Sequence, residues 1–270
     1  MVRKVKSELP EPFARILASL SPRHDAGVEA EIVAYDHAGA PMEGFLACPR
    51  ASVGRNKALL VLHAWSGVGP NVEMRALMLA RLGYTALAAD LYGAGVRPAT
   101  MPAMKAEADS YYADLPLLRA RVAAGFDVLV GRGFAPEDIV VIGYCFGGTA
   151  ALEFARNGQA SAGIVSIHGN LIVHEPSDAA QISAPLLIIS GAADDLVSDE
   201  IVKAFVDELR AADAIEWEFV SYSGAPHAFT VPGERFRPVA DARSWRRLVD
   251  FLDEVAPVGI GLSAPAEGVV

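Results

Sequence analysis

The chain has 270 residues, 52% hydrophobic and 21% charged, which suits one well-packed globular domain. Its formal net charge of -10, with no block of like charge, argues against nucleic acid or an anionic membrane surface as a partner. No apolar run is long enough to span a bilayer, and the basic start Met1-Val2-Arg3-Lys4 lacks the apolar core of a signal peptide, so a soluble cytoplasmic protein is expected.

In chain order, residues 1–28 read as a polar, proline-containing lead-in with a helical stretch over 13–20. Residues 32–35 and 44–48 predict a hairpin at a sheet edge. The run 58–63, Ala-Leu-Leu-Val-Leu-His, reads as a buried strand. A helix follows over 74–82, ended by Gly83, and then a strand over 84–89. Residues 105–130 are helical with a break at Pro116. Strand 138–143, helix 148–156, and strands 162–167 and 185–190 come next. Helix 199–212, strand 215–222 and helix 240–255 close the pattern. The tail 257–270 is rich in Gly, Pro and Ala and reads as loose.

Continuous apolar strands alternating with helices mean a mostly parallel central sheet covered on both faces, the α/β class. Residues 29–256 form that domain. The stretch between 167 and 185 is a connection only, so no large cap domain is expected and the cleft should be shallow. In such sheets chemistry collects at the carboxyl ends of the strands.

The strongest local pattern is Gly143-Tyr144-Cys145-Phe146-Gly147-Gly148, set between a strand and a helix. This is the context of a nucleophile elbow, G-x-nucleophile-x-G, with Cys in place of Ser, as in the α/β-hydrolase fold. The glycines are needed because the turn brings strand and helix close together. The turn also sets the thiol at a helix N-terminus, where dipole and free N–H groups favour thiolate. The other cysteine, Cys48, shares no C-x-x-C pair with it, and both read as free thiols in a cytoplasmic protein.

A thiolate needs a base, and the base an orienting acid. His227 lies just after the strand 215–222, and Asp194 lies just after the strand 185–190. The order Cys145, Asp194, His227 is the nucleophile–acid–base order of this fold. Asp195 is the rival orienter; the turn Gly191-Ala192-Ala193-Asp194, with Val197 packing back, favours Asp194. The backbone N–H groups of Phe146 and Trp65 are the expected oxyanion donors. His63, Ala64, Tyr144, His168, Phe229 and Val231 are candidates for the substrate pocket. Ser166 and Ser190 lack the glycine surround of a serine elbow. Neither metal-ligand spacing, a Walker loop nor G-x-G-x-x-G occurs, so no metal and no cofactor is expected.

The chain resembles the dienelactone hydrolase family. The resemblance is carried by Val61-Leu62-His63-Ala64-Trp65-Ser66-Gly67-Val68, Ala89-Asp90-Leu91-Tyr92-Gly93, the Cys145 elbow, Ser166-Ile167-His168-Gly169, the Asp194 turn and His227-Ala228-Phe229-Thr230, together spanning roughly residues 44–252. It implies a hydrolase of small esters or enol-lactones with Cys145, Asp194 and His227 as its triad. Two departures stand out. Members of the family proper carry a glutamate where this chain has Ala64, and an arginine that grips a substrate carboxylate where it has Val231. The partner expected is a small-molecule ester or lactone, and either a monomer or a homodimer fits. The alternative reading is a non-catalytic ligand-binding or redox-responsive protein on a hydrolase fold; an intact nucleophile, acid and base argue against it.

Overall fold

Ala58 to Leu62 are all fully buried, so this stretch has to be sheathed on both sides. Alternation decides which side each residue meets: Leu59 and Val61 join one apolar core, and Ala58, Leu60 and Leu62 the other. Each Leu or Val so buried contributes roughly 1.5–3 kcal/mol relative to exposure. In a computed structural model, which describes residues 2–4, 9–19, 27–50, 57–212 and 216–258, this strand lies inside a nine-stranded sheet.

The strands are β1 (Val2–Lys4), β2 (Val28–His37), β3 (Ala40–Pro49), β4 (Ala58–Leu62), β5 (Thr85–Ala89), β6 (Ile139–Tyr144), β7 (Gly163–Ile167), β8 (Leu186–Gly191) and β9 (Trp217–Tyr222). They lie in the order β1-β2-β3-β5-β4-β6-β7-β8-β9. β5, β4 and β6 to β9 are mutually parallel, while β1, β2 and β3 are antiparallel. The helices are α1 (Glu11–Ser19), α2 (Pro70–Arg81), α3 (Met101–Tyr112), α4 (Leu115–Gly131), α5 (Phe146–Ala155), α6 (Asp199–Ala212) and α7 (Pro238–Val255). Residues of α1, α2 and α7 share one core, and those of α3 to α6 share the other. Among the described residues no helix is long and apolar enough to cross a membrane.

The expected layering holds, and the differences have local causes. α2 begins at Pro70, earlier than the apolar period indicates, because proline at the first helical position loses no hydrogen bond. The stretch 105–130 divides into α3 and α4 just before Pro116, where Asp114 caps α4 by accepting from the Leu117 N–H at 3.0 Å. The hairpin of β2 and β3 is longer than the sequence indicates, and β1 pairs outside it. Within the lead-in, Ile16 of α1 is buried in the core. Residues 259–270 of the tail lie outside the described residues.

Between β7 and β8 there is only a connection with one short helical turn, Ala179–Gln181, and no large cap. Cover over the carboxyl edge comes instead from α3. The chamber at that edge has a volume of about 510 Å³.

Candidate active site

β6 delivers Cys145 to the carboxyl edge of the sheet, and steric demand makes its neighbours glycine. A Cβ on Gly143 would sit 1.8 Å from the Gly147 carbonyl oxygen, and one on Gly147 would sit 2.4 Å from that of Leu62. Cys145 itself takes φ 55° and ψ -118°, a conformation that L side chains rarely adopt. It is held there by bonds at both ends: its N–H donates to Ile167 O at 3.0 Å, and its carbonyl accepts from Gly148 N–H at 2.8 Å. The sulfur thus stands at the N-terminus of α5, and Phe146, first residue of that helix, has no intrahelical partner for its N–H.

Two further loops close on the sulfur. Cys145 Sγ lies 3.1 Å from His227 Nε2, and His227 Nδ1 lies 2.9 Å from Asp194 Oδ2. The Asp194 side chain is fully buried, and its other oxygen accepts from the Leu196 N–H at 2.9 Å. The acid turn and the base loop are laced together: Ala192 N–H donates to Tyr222 O and Ala193 N–H to Ala225 O. Gly191 permits this approach, since a Cβ there would stand 2.2 Å from Ala225 O. The neighbouring Asp195 points the other way and forms a two-pronged pair with Arg235 at 2.6 and 2.9 Å. Asp194 is therefore the carboxylate that faces His227.

Charge follows from these contacts. Burial opposes protonation of His227, but its hydrogen bonds to Asp194 and Cys145 outweigh that and lift it from 6.5 to about 10. The raised value favours the protonated ring at neutral pH.

The pocket candidates are corrected by burial. His63 is fully enclosed; its Nδ1 donates to Ala64 O at 2.7 Å and its Nε2 accepts from Leu91 N–H at 3.1 Å. Burial lowers it to about 4, so it is a neutral strut between two loops. His168 is also enclosed, with Nε2 2.8 Å from Thr230 Oγ1 and its ring 5.5 Å from that of His227. Burial, then the charge on His227, holds it well below its ordinary value. Tyr144 is buried under the Arg75 guanidinium, and Phe229 is buried against His168. Ala64 and Val231 are half-buried and, like the other four, do not line the chamber.

Cys145, His227, Phe146 and Trp65 do line it. The remaining wall comes from residues that sequence reasoning missed, chiefly Tyr112, Asn170, Leu171, Leu196 and Ile201. α3 adds Lys105, Ala108 and Asp109; with Tyr112 these fall at i, i+3, i+4 and i+7, one stripe of a helix. Sharing one stripe, these four side chains face the chamber together.

Behind the base loop, Arg75 Nη2 donates to Thr230 O at 3.0 Å and pairs with Asp241 at 2.5 Å, both carriers being buried. This fixes the segment that carries His227 from the side away from the chamber.

Known proteins carry the same arrangement of elements. A carboxymethylenebutenolidase of Pseudomonas sp. is 27% identical over 217 residues, covering 76% of this chain and 88% of that protein. A Salmonella typhimurium protein provisionally named a carboxymethylenebutenolidase is 26% identical and covers 90% of this chain and 95% of its own. The crystal structure of a dienelactone hydrolase-like promiscuous phosphotriesterase from metagenomic libraries superposes with a TM-score of 0.79 at 30% identity, covering 84% of this chain and 98% of its own. The family model for dienelactone hydrolases matches residues 42–256, from β3 to the end of α7, and the chain belongs to the dienelactone hydrolase family.

Proposed function

We propose that this chain hydrolyses small esters or lactones through Cys145, His227 and Asp194, by way of a thioester acyl-enzyme. The observation that carries the proposal is the relay at the chamber wall, 3.1 Å from Sγ to Nε2 and 2.9 Å from Nδ1 to Asp194. Membership of the family and the carboxymethylenebutenolidase name of the Pseudomonas relative support the substrate class.

In this reading the Cys145 thiolate attacks the acyl carbon and the carbonyl π electrons move to oxygen. The N–H groups of Phe146 and Trp65 hold the oxyanion; each donor so aimed contributes a few kcal/mol. On collapse the acyl–oxygen bond breaks, and the His227 imidazolium gives its Nε2 proton to the departing oxygen. Neutral His227 then takes a proton from water, whose oxygen attacks the thioester carbon and expels the thiolate. Asp194 keeps the Nδ1 proton in place throughout and stabilises the imidazolium.

Thiolate is itself a good leaving group, so the first intermediate reverts unless the departing alkoxide is better. Phenols and enols therefore suit this nucleophile, and amides do not. p-Nitrophenyl acetate turnover by wild type, Cys145→Ala and His227→Ala is the direct test, with mass spectrometry for an acyl adduct on Cys145. Unreduced turnover in the Cys145→Ala protein refutes the proposal.

A further inference from the structure

We propose, resting on the hydrolase reading above, that the chamber selects uncharged esters with an aromatic or branched apolar body and turns away substrates bearing a carboxylate. The walls supply the first half. Trp65, Tyr112 and Phe146 offer aromatic surface, and Leu171, Leu196 and Ile201 offer branched aliphatic surface. Leu196 and Ile201 remain 52% and 37% exposed, apolar side chains held at the opening where a ligand would cover them. A chamber of about 510 Å³ is of ordinary size for a small organic ligand.

The charges supply the second half. Outside the reacting residues, the charged residues lining the chamber are Lys105 and Asp109, one helical turn apart on α3. Their side chains pair with each other at 2.5 Å at the solvent-exposed rim, so the lining's one cation is balanced by a carboxylate beside it. A substrate carboxylate would leave water for apolar walls, where the one lysine is already balanced by Asp109. Uncharged polar groups fare differently. The Asn170 amide and Tyr112 hydroxyl, 3.5 Å apart, engage each other weakly and can each turn to an ester or ether oxygen.

The test compares matched esters of one leaving group on the full-length protein. p-Nitrophenyl levulinate is neutral; mono-p-nitrophenyl succinate has the same length and ends in a carboxylate. Expected is a kcat/KM at least about 30-fold higher for the neutral ester. Asp109→Asn, which removes the carboxylate balancing Lys105, is expected to raise the anionic ester's value about twofold to fivefold. A second readout needs no turnover: protection of Cys145 from iodoacetamide by phenylacetamide or by phenylacetate. The amide is expected to half-protect at a concentration about tenfold lower. Equal or better protection by the carboxylate, or equal kcat/KM for the two esters, overturns the proposal while Cys145-dependent hydrolysis still stands. Better protection by the amide with no ester hydrolysed upholds the chamber's preference and rejects the hydrolase reading instead.

Discussion

Two histidines at the same edge of the sheet, His63 after β4 and His227 after β9, are both buried, yet their chemistry is opposite. The hydrogen bonds of the His63 ring go to backbone: it donates to one carbonyl and accepts from one N–H, and burial holds it neutral near 4. His227 meets a carboxylate and a sulfur, and these lift it to about 10 against the same burial. The contrast teaches that enclosure alone does not make a functional site. A ring whose two nitrogens are satisfied by the main chain is a brace. A ring held between a carboxylate and a sulfur at a chamber wall has both nitrogens turned to groups that exchange protons.

Substitutions at the two rings separate these roles. His227→Ala should lower kcat for p-nitrophenyl acetate by about 10³-fold or more, with little change in melting temperature. If kcat falls by less than tenfold, His227 is not the base and the contrast fails.

Asp194→Asn should lower kcat by about 10²-fold or more, since the imidazolium loses its counter-charge and the Nδ1 proton its acceptor. It should also move the alkaline limb of the pH–rate profile. On the proposed mechanism His227 acts as imidazolium when the leaving group departs, and its value is raised, so activity should be present below about 10 and be lost as pH rises through it. Without Asp194 that loss should begin at lower pH, toward the ordinary 6.5. A limb that stays in place assigns it to another group.

His63→Ala should act on stability instead. Loss of two buried hydrogen bonds and the ring's volume should cost about 2–4 kcal/mol in denaturant unfolding, with the alkaline limb unmoved. A shifted limb would show that His63 is coupled to the reaction after all. The smallest effect belongs to Asp195→Asn. That carboxylate is exposed and paired with Arg235, so kcat/KM should stay within about twofold of wild type. A loss as large as that of Asp194→Asn would mean that the wrong aspartate faces the base.

The core strands were legible because each is a short, continuous apolar run: Ala58 to Leu62 and Ile139 to Ile142 are uniformly buried, and only a strand covered on both faces needs that. The elbow was legible because steric exclusion leaves a mark in sequence; no side chain fits at Gly143 or Gly147. The chamber wall was not. The helical pattern over 105–130 shows where α3 and α4 form, but which stripe of α3 overhangs Cys145 depends on how the helix crosses the sheet edge. His63 and His168 were also misplaced as pocket residues, because a position at a strand end does not reveal which way the ring turns.

The amino-acid sequence by itself determined the layered α/β architecture, the glycine-framed bend that presents Cys145 and the chain order of Cys145, Asp194 and His227. These rest on local rules, namely periodicity, turn sterics and strand–helix alternation. Only the tertiary structure decided that Asp194 rather than Asp195 meets His227, that His63 and His168 are neutral and sealed, and that Lys105 is already paired above an apolar chamber. Such choices depend on distances between segments far apart in the chain, and electrostatic and hydrogen-bond energies change sign or vanish over a few ångströms.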